Sequence, residues 1–210
     1  MATELETMRE LLDRYGHTFA GEAGIRLADQ PAPLYRLSVL TLLLSTRIKA
    51  EIAVAATREL GRSGMTTPAR MERSAWQDRV DALDRAGYRR YDEQTATALG
   101  AGAAMLRREY RGDLRQLRRR AQGSTSTIRE LLTELPRIGP TGADIFCREA
   151  QGIWPELRPC FDRLALRGAE KLGLPPDPEA LARLVEPGQL PMAAAALVRV
   201  VVAPSPPGQR

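Results

Sequence analysis

The chain has 210 residues, of which 43% are apolar and 27% charged, and it carries a net charge of +5 with a pI near 9.7. This length and apolar content allow a full hydrophobic core in one domain or two closely packed lobes. The protein is therefore not in the class of chains too small to fold by themselves. The positive charge favours a polyanionic partner, although charge alone identifies none.

Targeting and metal-binding signals are absent from the sequence. No signal peptide, lipidation motif or long uncharged apolar run occurs, since Arg199 interrupts the last apolar run. Cys147 and Cys160 lack the spacing of metal ligands, and His17 is the single histidine. We therefore expect a cytoplasmic protein with buried thiols rather than a disulfide, and without a metal or a membrane partner.

The apolar spacing along the chain predicts a series of helices. Thr3 and Glu6 form a capping box that opens a first helix ending at Tyr15, and this helix is expected to pack on the last one. Further helices are predicted at 33–44, 50–60, Pro68 through Val80, 92–110, 114–121, 128–135, from Thr141, from Asp162, and at 192–202. The helix 33–44 is apolar almost all round, so it should be central.

The segment around residue 138 has the pattern of a helix-hairpin-helix. Pro136 ends the first helix, a second helix can begin at Thr141 with its hydroxyl as N-cap, and Gly139 is expected to take positive φ between them. Such a turn binds anions through its main chain, because glycine lets a phosphate approach and the N–H groups that start the second helix point outwards. A DNA backbone is the natural partner. The alternative is a tight connector between two packed helices.

Downstream, Asp162 opens a helix that continues to Arg167 and then to Leu172-Gly173-Leu174. Together with the hairpin, this resembles the helix-hairpin-helix DNA glycosylase superfamily of the endonuclease III type. The family pattern is L-P-G-V-G-x-K-T-A, followed about twenty residues later by V-D-T-H-x-x-R-x-x-x-R-L-G-L. The resemblance covers roughly 32–202 and implies an all-α fold, a two-lobed helical bundle with a DNA groove between the lobes.

The resemblance also implies the limits of the lobes. The terminal lobe is expected to contain 1–31 and 122–203 and to carry the hairpin, about 128–150, at its junction. The central lobe is expected at 32–121, and 204–210 should be a disordered tail.

Two positions of the family pattern bear on catalysis. Asp162 falls on the catalytic aspartate, whose carboxylate stabilises positive charge on the sugar or orients water; the alternative is an aspartate that only caps its helix. Thr141 falls on the position of the lysine nucleophile, so the amine needed for a Schiff base is missing. The resemblance therefore implies base release without efficient strand cleavage.

Contacts with DNA are implied on three segments. The hairpin supplies Arg137, Gly139, Thr141 and Gly142. Arg47 stands where relatives carry a glutamine that enters the gap left by an extruded base; the alternative is a solvated arginine at a helix junction.

The third segment is the loop after Gly87. Relatives carry there a wedge that is pushed into the base stack, so Tyr88 is the predicted wedge, with Arg85, Arg89 and Arg90 beside it for phosphates. The alternative is a half-buried tyrosine on a basic loop.

The expected function follows from these assignments. Many relatives continue into four closely spaced cysteines that bind an iron–sulfur cluster, and this chain ends where that loop would begin, so no cluster is expected. The leading hypothesis is a monomeric, monofunctional DNA glycosylase of base-excision repair that acts on double-stranded, lesion-containing DNA. The alternatives are a catalytically silent DNA- or lesion-binding protein of the same fold and an unrelated helical interaction domain.

Overall fold

The computed structural model describes residues 3–202, and these form helices and turns without a strand, which confirms the all-α prediction. The predicted tail, 204–210, lies outside the described residues. In chain order the helices are α1 Glu4–Tyr15, α2 Phe19–Glu22, α3 Pro31–Leu44, α4 Ala50–Arg62, α5 Pro68–Arg73, α6 Trp76–Arg85, α7 Asp92–Tyr110, α8 Leu114–Arg120, α9 Thr125–Thr133, α10 Pro140–Ala150, α11 Arg163–Lys171, α12 Pro178–Ala182 and α13 Leu190–Val202. Two short 3-10 helices, Pro155–Leu157 and Pro187–Gln189, complete the list.

The chain folds into two compact units. One contains the described residues up to Thr18 together with those from Arg148 onwards, and the other is Phe19–Cys147. The predicted lobes had different limits, because 19–31 and 122–147 were assigned to the terminal lobe. Packing explains the difference: Leu135 and Ile138 of the hairpin lie against residues of α3 and α7, which belong to Phe19–Cys147.

In the first unit, α1 and α11 both pack on α13. The predicted capping box is present, since the Thr3 hydroxyl accepts from the Glu6 N–H at 3.2 Å and the Glu6 carboxylate accepts from the Thr3 N–H at 2.7 Å. Arg199, near the end of α13, donates to the carbonyl oxygen of His17 at 2.6 Å. The predicted pairing of the first and last helices is thus confirmed.

Close contact between α11 and α13 depends on Gly168. A Cβ atom at this position would lie 2.0 Å from the backbone carbonyl oxygen of Leu197. Only glycine therefore allows the two helix backbones to approach this closely.

In the second unit, α3 is central, as its apolar composition predicts. Nine of its residues are buried, and it packs on α4 and α8. Such a helix has no polar face to present to water, so its neighbours must cover it on all sides.

The predicted helix from Pro68 through Val80 is in fact two helices, α5 and α6. The chain leaves the helical conformation at Ser74, and the Asp78 carboxylate accepts from the Ala75 N–H at 3.1 Å to start α6. Buried Arg79 donates to the carbonyl oxygens of Met71 and Ser74 at 3.0 and 3.1 Å. These bonds satisfy carbonyl groups that the end of α5 leaves without helical partners, and they stabilise the break.

Within the described chain, no helix combines the length and hydropathy that crossing a membrane requires.

The contact at Gly168 predicts that Gly168→Ala will lower the free energy of unfolding by about 3 kcal/mol, because the added methyl group overlaps backbone rather than a flexible side chain. Urea denaturation measures the change. The control is Gly188→Ala, where an added Cβ meets no atom within 4 Å. Equal stability of the two variants would show that the helices are not in this contact.

Candidate nucleic-acid interface

The hairpin consists of α9, a short turn and α10. The Ser124 hydroxyl caps α9 by accepting from the Thr127 N–H at 3.2 Å, so the helix starts before the predicted position 128. Leu135 and Ile138 are buried on either side of the turn, and the Ile138 N–H donates to the Leu135 carbonyl oxygen at 3.0 Å. Burial of these two residues leaves the residues between them at the surface.

Arg137, not Gly139, has the positive φ of this turn. Its φ is 61°, whereas Gly139 lies outside the left-handed region. A turn closed from Leu135 to Ile138 has Pro136 at its second position and Arg137 at its third, and positive φ at the third position is the pattern of a type II turn. The prediction for Gly139 was wrong because the turn closes before that residue.

The start of α10 differs from prediction at two further positions. The helix begins at Pro140, so Gly139 precedes its first turn and Thr141 is an exposed residue within that turn rather than the N-cap. Gly142 is buried, and an added Cβ would lie 3.1 Å from Ile138 and 3.5 Å from Thr41. Gly142 therefore serves helix packing, which corrects its prediction as a surface contact for DNA.

Gly139 is exposed, and an added Cβ there meets no protein atom within 4 Å. The protein's own packing therefore does not require glycine at this position. Open space beside the first turn of α10 is the geometry that an anion needs to reach unpartnered backbone N–H groups.

Tyr88 is not a wedge. It is 0% exposed, its hydroxyl donates to the Thr46 hydroxyl at 3.0 Å, and it accepts from the Thr95 hydroxyl at 3.5 Å. Its burial follows from the end of α6, where Gly87 has φ 78° and the Tyr88 N–H donates to the Leu83 carbonyl oxygen. This is a Schellman ending, in which the residue after the left-handed glycine packs back on its own helix.

Buried Tyr88 and the hairpin bring three loops together around the start of α7. The Tyr88 hydrogen bond to Thr46 joins the loop before α7 to the loop after α3, and Arg137 of the hairpin donates to the Gln94 side chain at 2.8 Å. The exposed cations on these loops, which we call the basic rim, are Arg47, Lys49, Arg89, Arg90 and Arg137. Lys49 was not predicted as a contact, although its position two residues after Arg47 suggests it.

Arg85 stands apart from this group. It donates to the Ser63 hydroxyl at 2.9 Å and lies 3.5 Å from the Glu59 carboxylate. Arg85 is thus engaged by its own protein, unlike Arg47 and Arg89, which form no hydrogen bond or ion pair with a described residue.

In the other unit, Asp162 is the N-cap of α11. One carboxylate oxygen accepts from the N–H groups of Leu164 and Ala165 at 3.0 and 2.9 Å, and the other accepts from Arg148. The Asp162 side chain is 8% exposed. Asp162 therefore caps α11, and the catalytic assignment stays a prediction.

Arg148 and Glu149 were missed at the sequence level. Both side chains are buried, and their charged atoms lie 3.7 Å apart. They follow Phe146 and Cys147 on the apolar face of α10, and charged residues at the end of such a face are the signal that could have indicated a buried ion pair.

No three His, Cys, Asp or Glu side chains come together as metal ligands among residues 3–202. Cys147 and Cys160 are both buried, as predicted. Two cysteines do not fit a cluster of the endonuclease III type, which needs four thiolate ligands.

These features define a class of fold, the all-α helix-hairpin-helix fold of the DNA glycosylase type. The chain is similar to endonuclease III in two solved structures, a trapped covalent intermediate with DNA in an estranged-adenine complex and a non-covalent complex with DNA. The TM-scores are 0.55 and 0.56, and each alignment has 16% identity and covers 95% of this chain and 86% of the other. No family model and no curated protein matches the sequence.

The burial of Tyr88 predicts that Tyr88→Ala will lower the free energy of unfolding by about 3 kcal/mol or more, because it leaves a cavity and removes the bond to Thr46. Arg89→Ala, one residue along on the surface, should change it by less than about 0.5 kcal/mol. Thermal or urea unfolding of both variants provides the measurement. If Tyr88 instead pointed into solvent as a wedge, both variants would change the free energy of unfolding by less than about 0.5 kcal/mol.

Proposed function

We propose that this protein binds double-stranded DNA through the hairpin turn and the basic rim. The observation that carries the proposal is that one compact unit has five exposed cations on three loops, which hydrogen bonds of Tyr88 and Arg137 hold near the start of α7, and that one of these loops leads into an open helix start. Phosphates are the ligands suited to both features, since cations neutralise their charge and backbone N–H groups at a helix start donate hydrogen bonds to their oxygens. Such contacts position a protein on DNA without reading its sequence.

We further propose that the bound DNA is a substrate and that the protein hydrolyses the N-glycosidic bond of a damaged base. Endonuclease III, with which this chain shares its fold, was trapped in a covalent intermediate with DNA. Loss of a base leaves positive charge on the sugar, and an ionised carboxylate such as Asp162 stabilises that charge.

The hydrogen bonds of Asp162 are compatible with this role. A carboxylate offers about four acceptor sites. Three donors, the N–H groups of Leu164 and Ala165 and the Arg148 guanidinium, occupy three of them. The remaining site can hold the attacking water, while Arg148 and the start of α11 favour the ionised carboxylate.

Strand cleavage is not expected to accompany base release. Cleavage by this chemistry requires an amine that forms a Schiff base with the sugar. Thr141 offers a hydroxyl instead, and Lys49 and Lys171, the only lysines of the sequence, occupy other positions of the family pattern. No iron–sulfur cluster is part of the proposal.

A second candidate function is binding of DNA or of lesions without catalysis. The observation in its favour is the low exposure of Asp162, 8%, together with its pairing to Arg148. A carboxylate engaged in this way can serve purely to cap α11 and to neutralise a buried guanidinium.

The DNA-binding proposal is tested by Gly139→Ala. Since a Cβ at Gly139 meets no protein atom, the fold should be unchanged, but the methyl group lies where a phosphate must approach. We expect affinity for duplex DNA to fall about tenfold in a fluorescence-anisotropy titration, equivalent to one charge-assisted hydrogen bond. The loss should be similar for unrelated sequences.

Gly188→Ala serves again as the matched control, because it adds the same methyl group to open space in the other unit. If Gly139→Ala bound duplex as tightly as the unmodified protein, the hairpin turn would have no part in binding.

The catalytic proposal is tested by Asp162→Asn on duplexes that carry different modified bases. Asparagine keeps the cap but loses the charge, so base release should fall at least about 100-fold while DNA affinity is retained. The unmodified protein should produce abasic sites that are cut only after alkali. Base release that persists in Asp162→Asn would remove Asp162 from the chemistry, and tight binding without any base release would favour the second candidate.

A further inference from the structure

A second group of arginines lies outside the basic rim, at the end of α7 and on α8. Between Arg107 and Arg120 the sequence has seven arginines and only two carboxylates, so this segment carries a net charge of +5, equal to that of the whole chain. A concentration of charge in fourteen residues creates a local positive field.

Three of these arginines pair with carboxylates other than that of the adjacent residue. Arg107 pairs with Glu72, Arg115 with Asp113 at 2.8 Å, and Arg118 with Asp29 at 2.9 Å. The four others are exposed, and we call them the end patch: Arg108, Arg111, Arg119 and Arg120.

The members of the end patch are weakly held. Arg108 pairs with Glu109, but the two side chains are 70% and 42% exposed, and such a pair contributes little. Arg120 lies near the Tyr110 hydroxyl, which donates to the Glu134 carboxylate at 3.5 Å. Arg111 forms no side-chain hydrogen bond or ion pair with a described residue.

The backbone at Arg111 gives a second, independent indication. Arg111 has φ 55°, a left-handed conformation that suits glycine and that other residues rarely adopt. Among residues 3–202 the other non-glycine residues with positive φ are Gln122 and Arg137. Arginine thus occupies two strained surface positions, one in the end patch and one in the hairpin turn, where the backbone conformation suits glycine better.

Arg108 of the end patch shares a face of α7 with Gln94, the residue that contacts the hairpin turn. Gln94, which accepts from Arg137, and Arg108 are fourteen residues apart, or about 3.9 helical turns, so their side chains point in nearly the same direction. The rise from Gln94 to Arg111 is about 25 Å, which corresponds to about seven base pairs of duplex. Thr97 and Ala101 lie between them on this face, and both are exposed, small and uncharged.

We propose that the end patch contacts phosphates of the same duplex that the hairpin turn binds, about seven base pairs away along its axis. The duplex then lies along the exposed face of α7, and the protein's contacts with the duplex extend beyond the hairpin turn and the basic rim. This inference rests on the proposed function, because it requires that the protein binds duplex DNA.

The test uses Arg111→Gly, which removes the side chain and supplies the residue best suited to the backbone conformation. On a duplex of about 20 base pairs, affinity should fall about threefold, as for one exposed ion pair. The slope of log affinity against log salt should become less negative by about 0.9, as for one lost phosphate contact. Gln122→Gly makes the same backbone change without removing a charge, and its affinity and slope should stay unchanged.

Arg108→Gln, which keeps a good helix former on the surface of α7, provides an independent variant should Arg111→Gly be unstable. If both variants bound the duplex with unchanged affinity and salt slope, the end patch would not contact DNA, although the proposed function would stand. If Arg111→Gly instead abolished only a second binding step at high DNA concentration, the patch would bind a separate duplex and this proposal would be wrong. If the unmodified protein bound no duplex, both proposals would fall together.

Discussion

Burial of Leu135 and Ile138 is the interaction on which the candidate interface depends. Both side chains lie in the core of their unit, and the backbone between them closes a turn in which the Ile138 N–H donates to the Leu135 carbonyl oxygen at 3.0 Å. Pro136 and Arg137 therefore form a surface turn, and α10 starts directly after it at a position where Gly139 leaves open space. The anion-binding geometry of the hairpin is thus a consequence of hydrophobic packing rather than of a dedicated polar network.

The same principle applies to the loops beside the hairpin. Tyr88 has no contact with solvent, and its hydroxyl links the loop of Arg89 and Arg90 to the loop of Arg47 through Thr46. A buried aromatic residue thereby fixes the positions of exposed cations on two loops. The contact with DNA is proposed for the cations, and the role of Tyr88 is to hold them in place.

The sequence predicted the helices well, because their signals are local. The capping box of α1, the apolar run of α3 and the pairing of α1 with α13 all follow from spacing and composition. The predictions were wrong at positions where a single residue determines the local backbone conformation. Ser74 divides a predicted helix in two, and positive φ falls on Arg137 instead of Gly139 because the turn closes through a backbone bond that no residue type identifies.

The candidate site was less predictable than the fold because burial depends on contacts far apart in sequence. The order Gly87-Tyr88 at a helix end could have indicated that the tyrosine packs inwards. Nothing comparable indicated that Arg148 would pair with Asp162, since the two residues lie on different helices. That pair leaves the carboxylate suited both to capping and to catalysis, which is why chemistry must be measured separately from binding.

Hydrogen exchange of the protein with and without duplex DNA tests the central claim most directly, because it reports on every backbone segment in one experiment. The account predicts slower exchange on binding in the peptides that contain Arg47, Arg89 and Gly139, and unchanged exchange in α12, which carries none of the proposed contacts. Protection confined to α12 and its neighbours, with no change around Gly139, would contradict the claim that the hairpin turn and the basic rim bind DNA.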